Sequence, residues 1–372
     1  MESRNLYDNL IYDWWKNLDK LIFFLFLSLI ILGMFFSLVS TSLIASTKLG
    51  TNNYYFFIRH LIYIFLGFCL IIFFSALKEK DIYKISILMF ILFFISLILI
   101  PFFGVEIKGS KRWLDFPTLP RFQPIEFLKP FLVILLSLII GSKFTSNNYF
   151  KFFLSTLLIL PILLLLVLQP DIGQTLLISL VWLSLIFVSG INLYLLSFLI
   201  LFSLSILGYL IFYIPKFSYI KFRITAFFDT KQKGNYQSQK ATDAIIDGGF
   251  FGKGVGEGTL NTLVPEAHTD YVISVISEEF GVLLILIVLL IFLLLIFKVF
   301  KKIPSEKNNS NKLILIGSIL LILFQVLIHI GVNIRFLPTT GMTLPFLSYG
   351  GSSILSSSIL AGLILNFTRR KI

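Results

Sequence analysis

The chain has 372 residues, of which 57% are hydrophobic and only 13% charged, with 42 Phe. One soluble core of that length cannot bury so much apolar surface, so an ordinary water-soluble domain is excluded and lipid must be the main solvent. The formal net charge of +12 then has to lie in loops and at the membrane interfaces, where it favours anionic partners.

A hydrocarbon core of ~30 Å takes about 20 apolar residues per helix. The alternation of a membrane barrel is absent, so the apolar runs are read as helices. Spans are expected at 21–44, 56–77, 84–103, 126–143, 152–169, 174–190, 192–215, 270–298, 312–336 and 343–367. The expected fold is all-α: a single transmembrane domain over 1–372 with about ten helices and one large outer loop, 216–269, between the seventh and the eighth. The first run is too long for a cleavable signal peptide and is read as a retained span. Cys69 stands alone, so no disulfide or cysteine-based metal site forms within one chain.

An even number of spans puts both termini on one side. With the termini inside, the inner segments hold 16 Lys and Arg and the outer ones 15, but 12 of those 15 fall in the loops 108–129 and 216–253. The positive-inside rule weighs short loops, so the termini are expected in the cytoplasm. The two basic outer loops then need a reason. Anionic lipid headgroups are one; an anionic substrate is the sharper one.

Glu126 and Lys129, at the start of the fourth span, are i and i+3 and can pair. Gln169-Pro170-Asp171-Ile172-Gly173 is a tight break, where Pro stops one helix and Asp171 can cap the next. The glycines of Gly248–Gly258 lack the spacing of a dinucleotide loop, so this is a flexible loop or a close backbone approach. Val264–Tyr271 then runs into an apolar helix in which Asp270, Ser274, Ser277 and Glu278 are expected to form one inward stripe lining a cavity. The plainer alternative is that Asp270 and Thr269 only cap that helix. Near the C-terminus, His329 and Asn333 lie one helical turn apart. Pro338–Ser353 holds too many Pro, Gly and hydroxyl residues for a lipid-facing helix and is expected to fold inward as a cavity wall. No phosphate-binding P-loop, nucleophile elbow or zinc-ligand spacing occurs in the sequence.

These motifs, in order, resemble the SEDS family (shape, elongation, division and sporulation), which includes FtsW and RodA. The resemblance rests on Gly109-Ser-Lys-Arg-Trp-Leu114, Gln123-Pro-Ile-Glu-Phe-Leu-Lys129, Gln169-Pro-Asp-Ile-Gly173, Pro265-Glu-Ala-His-Thr-Asp270 with Glu278-Glu279, and Leu344–Ser353. The stretch from Gly252 to Gly258 and the run Gly341–Pro345 are closer to the division branch, FtsW, than to RodA. Ile125 stands where the family usually has Ser, and Tyr271 where it usually has Phe.

The resemblance implies a peptidoglycan glycosyltransferase of the inner membrane, at the division septum, that polymerises lipid II beside a class b penicillin-binding protein and other division membrane proteins, with no nucleic-acid partner. It implies Asp270 as the catalytic residue and points to Glu126 and Lys129 as substrate-binding candidates; Lys111, Arg112, His268, Glu278, Ser348 and Ser352 are further substrate-binding candidates. A sugar hydroxyl must lose a proton as it attacks the anomeric carbon, and Asp270 is placed to take it. Lys111, Arg112, Arg121, Lys129, Lys216, Lys221, Arg223 and Lys253 are candidate cations for the leaving diphosphate. A divalent cation, Mg2+ or Mn2+, is a candidate cofactor, as in other pyrophosphate chemistry. A flippase for the same lipid-linked precursor is the alternative from another class. An elongation-type polymerase is the alternative within the family. Polar groups at the bilayer midplane would favour the flippase; charge gathered at one interface favours the polymerase.

Overall fold

The structure is a computed structural model that describes residues 12–40, 54–107, 110–117, 119–228, 236–260 and 263–369. Gly109, which opens the first motif, and residues 41–44, the expected end of the first span, lie outside the described residues. So do Arg4, Lys48, Lys108, Lys231, Lys233, Arg370 and Lys371, seven of the basic residues that bear on orientation.

After a helical stretch at 12–17 come α1 (Lys20–Val39), α2 (Tyr55–Ala76) and α3 (Glu79–Phe103), followed by strands β1 (Gly104–Ile107), β2 (Ser110–Phe116) and β3 (Leu119–Phe122). Then come α4 (Pro124–Ile140), α5 (Asn148–Leu168), α6 (Ile172–Val188), α7 (Leu193–Tyr213), α8 (Ser218–Phe228) and α9 (Tyr236–Gly248). The last helices are α10 (Val272–Phe280), α11 (Val282–Lys302), α12 (Asn309–Asn333) and α13 (Gly351–Thr368).

Among the described residues, eight helices are long and apolar enough to cross a membrane. The expected fourth and sixth spans correspond to α4 and α6, which are shorter at 17 residues each. Polar residues at the helix starts supply the caps that lipid cannot: Asn147 accepts from the Tyr149 amide at 3.0 Å, Asn192 from Tyr194 at 2.8 Å and Asn308 from Ser310 at 3.0 Å.

The structure departs from the sequence expectation in four places. The eighth span, expected from 270 to 298, is interrupted at Gly281, whose φ of 82° is not helical. This splits off α10 as a separate helix, buried on every face from Val272 to Glu279, so the expected one-sided stripe does not exist. The tenth span is expected from 343, but its helix starts at Gly351; residues 344–348 before it are irregular and buried. That burial fits the expectation of an inward-folded wall. The described residues of the loop 216–269 include two α-helices, α8 and α9.

The fourth departure is the sheet, where the sequence pattern indicates only a loop between spans. It is an antiparallel meander of order β1-β2-β3, pairing Gly104 with Leu114 and Leu114 with Phe122. Leu114 is buried beneath it, while Lys111, Asp115 and Phe116 are exposed.

Helices α12 and α13 form the centre, and α7 lies at the edge with no buried residue. Helix α13 has the lowest hydropathy of the eight and is the most buried. Its Ser352, Ser353, Ser356, Ser357, Ser358 and Gly362 keep its surface narrow, so α2 approaches closely: a Cβ on Gly67 would lie 2.5 Å from Ser358 Oγ. Small residues of this kind let helices pack in lipid, where apolar side chains gain nothing by leaving the hydrocarbon.

Asn366 closes this pair of helices. Its Nδ2 donates to the carbonyls of Phe74 at 2.9 Å, Ser75 at 3.1 Å and Leu77 at 2.7 Å, at the C-terminal end of α2. Those carbonyls have no intrahelical partner of their own. Asn366→Ala is therefore expected to lower stability by about 1–3 kcal/mol, read as a fall in unfolding temperature of the detergent-solubilised protein.

Candidate functional site

Asp270 sits in a turn, not on a helix: the N-cap of α10 is Tyr271, with no side-chain cap bond there. The turn is organised by Glu266, whose φ of 55° lies in the left-handed region. Its carbonyl accepts from the amides of Thr269 at 3.1 Å, Asp270 at 3.1 Å and Tyr271 at 3.3 Å. A left-handed glutamate is strained, and strain of this kind persists only where surrounding contacts fix it.

Those contacts come from the far end of the chain. Tyr349 N donates to His268 O at 3.0 Å, Ser348 Oγ to Thr269 O at 2.7 Å, and Asn333 Nδ2 to Asp270 O at 3.1 Å. Three consecutive carbonyls of the turn are thus held by α12 and by the irregular segment before α13. Ser348 also accepts from the Leu344 amide at 2.8 Å. Its hydroxyl is therefore occupied in joining two segments, which is a positioning role and not an open substrate contact.

The Asp270 carboxylate lies beside Gly341, where an added Cβ would be 3.5 Å from Oδ2. Arg223 of α8 reaches the same region, donating Nη1 to Thr339 O at 3.0 Å. The charges of Asp270 and Arg223 both act on the buried Tyr271 hydroxyl. His268 is half-buried, with its ring centroid 5.9 Å from that of Tyr349 and 6.2 Å from that of Phe56.

A second polar group lies under this turn. Glu126 Oε2 and Lys129 Nζ are 2.9 Å apart, with side chains 6% and 0% exposed. Glu126 Oε1 accepts from Gln174 Nε2 at 2.5 Å, and Lys129 Nζ is 3.5 Å from Gln325 Oε1. Gln325 donates to Thr343 O at 3.0 Å, and the Thr343 and Ser353 hydroxyls are 2.6 Å apart. Ser356 Oγ donates to Glu126 O at 2.7 Å. The expected pairing of Glu126 with Lys129 is present, and it ties together α4, α6, α12 and α13. Gln174 and Gln325 are absent from the motifs that the sequence brings forward. Their signal is nonetheless there, since each is an uncommon primary amide in an apolar helix.

Other candidates face elsewhere. Arg112 donates Nε to Gln169 O at 3.3 Å and Nη2 to Pro170 O, and lies 3.7 Å from Asp171 Oδ1. It holds the turn between α5 and α6 and is not presented as an open diphosphate ligand. Burial pushes the Asp171 carboxyl above the ordinary carboxylate range, and the Arg112 charge pulls it back. Asp171 also caps α6 and accepts from Gln123 Nε2 at 3.1 Å, while the Gln123 amide donates to Ser352 Oγ at 3.1 Å.

Arg121 pairs with Asp115 at 2.7 Å, Lys253 pairs with Asp247, and Lys221 lies 5.8 Å from the centroid of the Phe212 ring. Lys111 is exposed on β2. The Lys216 side chain lies outside the described residues. Ile125 is buried in the apolar core.

Glu278, expected to bind substrate, is fully buried; its Oε1 accepts from the Leu260 amide at 2.7 Å, and Glu279 Oε2 accepts from the Gly256 amide. Glu278 is therefore structural, because a carboxylate taking a backbone N–H anchors the glycine-rich loop to α10. Of the seven candidate cations whose side chains are described, Arg223 is the one that contacts place in the Asp270 neighbourhood.

Among the described residues, no three His, Cys, Asp or Glu side chains cluster as a metal cage. Mg2+ keeps several waters and takes one or two carboxylates plus substrate phosphates. Asp270 fits as a single protein ligand for an ion carried in with a diphosphate, and the donor set supports nothing fuller.

The sequence profile of the FtsW/RodA/SpoVE family, described as cell cycle protein, matches residues 19–371. The chain is 31% identical to the probable peptidoglycan glycosyltransferase FtsW of Caulobacter vibrioides, covering 96% of this chain and 91% of that one. It is 34% identical to the protein of the same name from Coxiella burnetii, covering 91% and 93%. Its fold resembles a chain from a solved peptidoglycan synthase complex that coordinates polymerization and crosslinking, at 25% identity and a TM-score of 0.76, covering 94% of this chain and 97% of that one.

The Glu126–Lys129 pair gives a test of the site's framework. Lys129→Met leaves a buried carboxylate without its partner and is expected to cost about 3–5 kcal/mol. The double variant Glu126→Gln/Lys129→Met removes both charges and is expected to recover most of that loss, measured by thermal unfolding of the purified proteins. Equal destabilisation in the single and double variants would show that the charges are not paired energetically.

Proposed function

Because the chain belongs to the FtsW/RodA/SpoVE family of cell cycle proteins, we propose that it is a peptidoglycan glycosyltransferase, a multi-pass membrane enzyme that polymerises lipid II into glycan strands for the division septum. The observation that carries this reading is the match along nearly the whole chain to relatives named peptidoglycan glycosyltransferase FtsW. The reaction takes place at the outer face of the inner membrane, with both termini in the cytoplasm.

The geometry supports a polymerase over a flippase. Glu126 lies in the first turn of α4, Gln174 in the first turn of α6 and Gln325 about two turns from the C-terminal end of α12. These lie toward the helix ends nearest the Asp270 turn, so the charged pair Glu126–Lys129 and its amide partners sit toward one end of the bundle, as a site at one membrane face requires.

In the proposed mechanism, the hydroxyl of one lipid-linked sugar attacks the anomeric carbon of a second, whose lipid diphosphate leaves. Asp270 takes the hydroxyl proton as general base. Its turn is fixed through the three carbonyls of His268, Thr269 and Asp270, so the carboxylate needs little reorganisation when the substrate arrives. Arg223 supplies positive charge for the leaving diphosphate. Lys111, exposed at the sheet, is available to the same anionic group as it enters. A Mg2+ or Mn2+ ion, when bound with the substrate, would neutralise further leaving-group charge.

The likeness to a chain from a peptidoglycan synthase complex supports a transpeptidase partner, which we assign to the class b penicillin-binding proteins, working among other division membrane proteins.

Asp270→Asn keeps the shape of the side chain and removes its basicity. It is expected to abolish glycan polymer from purified lipid II in detergent while the unfolding temperature stays at the parent value. Polymer of ordinary length from this variant would overturn the base assignment.

A further inference from the structure

We propose that Phe250 and Phe251 form a lipid-seated foot in the membrane interface that sets the depth of the Asp270 turn; the outer leaflet follows from the cytoplasmic placement of both termini. The two rings are 76% and 83% exposed at the tip of a turn outside any spanning helix, and Ile246 on α9 adds a third exposed apolar side chain. The rest of the turn is fixed. The Gly252 amide donates to Gly248 O at 2.9 Å, and the first amides of α11, Val282 and Leu283, donate to Gly249 O at 3.0 Å and Phe250 O at 3.2 Å. These donors are ones that a helix start leaves without intrahelical partners.

No side chain could replace the glycines that close it. A Cβ on Gly252 (φ 78°) would lie 2.3 Å from Glu279 O, and one on Gly281 (φ 82°) 2.2 Å from Phe250 O. The foot is thus fastened to the mouth of α11, a helix apolar enough to span a membrane. Exposed Leu283, Leu286, Ile287 and Leu290 run down α11 at i, i+3, i+4 and i+7 as its lipid-facing stripe. Phe250 and Phe251 stand at the head of that stripe, where aromatic side chains collect at membrane interfaces. Continuity with a lipid-facing surface is the reason to assign lipid, and not a second protein, as the occupant.

The same turn is joined to α10. The Lys253 amide donates to Glu278 O at 2.9 Å, Gly254 to Glu279 O at 3.0 Å, and Leu260 to Glu278 Oε1 at 2.7 Å. Helix α10 starts two residues after Asp270. A foot held at a constant depth therefore holds the Asp270 turn at a constant height above the hydrocarbon, where the diphosphate of a lipid-linked substrate must lie.

The test uses the full chain, alone, in phospholipid vesicles. Cys69, exposed on α2, is replaced by Ser, and a nitroxide is attached at Phe251→Cys or, as a loop control, at the exposed Glu257→Cys. Spin relaxation by oxygen is expected to exceed that by a water-soluble nickel chelate several-fold at 251, with the reverse at 257. Dominance of the chelate at 251 in the chain alone would overturn the proposal, including the case in which adding a transpeptidase partner then protects the site. As a second arm, Phe250→Ser/Phe251→Ser is expected to lower polymer yield several-fold with an unchanged unfolding temperature; unchanged yield would overturn the depth-setting role. The relaxation measurement needs no activity, so absence of polymer from the parent protein would count against the glycosyltransferase reading and leave the foot standing.

Discussion

Buried among apolar helices, an ionised side chain survives only against its counter-charge, and Glu126 and Lys129 meet that condition within one turn of α4. The pair by itself would be costly, because desolvation takes back most of what attraction supplies. It becomes tolerable because Gln174, Gln325 and Ser356 bring hydrogen bonds from α6, α12 and α13 to the same place. Satisfying the two charges therefore fixes how α4, α6 and α12 meet, with α13 joined through the Glu126 backbone carbonyl, and the polar floor beneath the Asp270 turn is a consequence of that requirement.

The turn above it follows the same logic with backbone groups. A non-helical segment near a membrane needs partners for its carbonyls, and residues 268–270 find theirs on Asn333, Ser348 and Tyr349. These partners are 63 to 81 positions later in the chain, so the turn forms only once α12 and the segment before α13 are in place. The left-handed Glu266 and the break at Gly281 are both local departures from regular structure, and each is held by contacts from elsewhere. Between them they make α10 a short buried strut and not the start of a long span.

Much of this is legible in the residues. Glu126 and Lys129 announce their pairing by spacing, and Asp270 stands out because a carboxylate beside an apolar run needs a reason. The inward fold of Pro338–Ser353 follows from its prolines, glycines and hydroxyl residues. Other features are not legible. The β-meander depends on pairing Gly104 with Leu114 and Leu114 with Phe122, a register that alternation over a few residues among charges does not reveal. The interruption at Gly281 follows Glu278 and Glu279, which spacing alone leaves within one apolar span; the break itself rests on the close approach of the Phe250 backbone to Gly281, a contact from an earlier loop.

What the sequence by itself determined is the solvent and the helical architecture, because these depend on the length and apolarity of contiguous segments, quantities that are local. It also determined which residues are chemically unusual for their surroundings. What only the tertiary structure decided is what each of those residues does. Arg112 and Glu278 looked like substrate ligands beside Asp270, yet one is engaged by the carbonyls of the 169–171 turn and the other by the amide of Leu260. Arg223 looked no different from seven other cations, and among the described side chains it is the one brought to the Asp270 neighbourhood. A charged side chain takes its role from the partner it reaches, and that partner comes from a distant part of the chain.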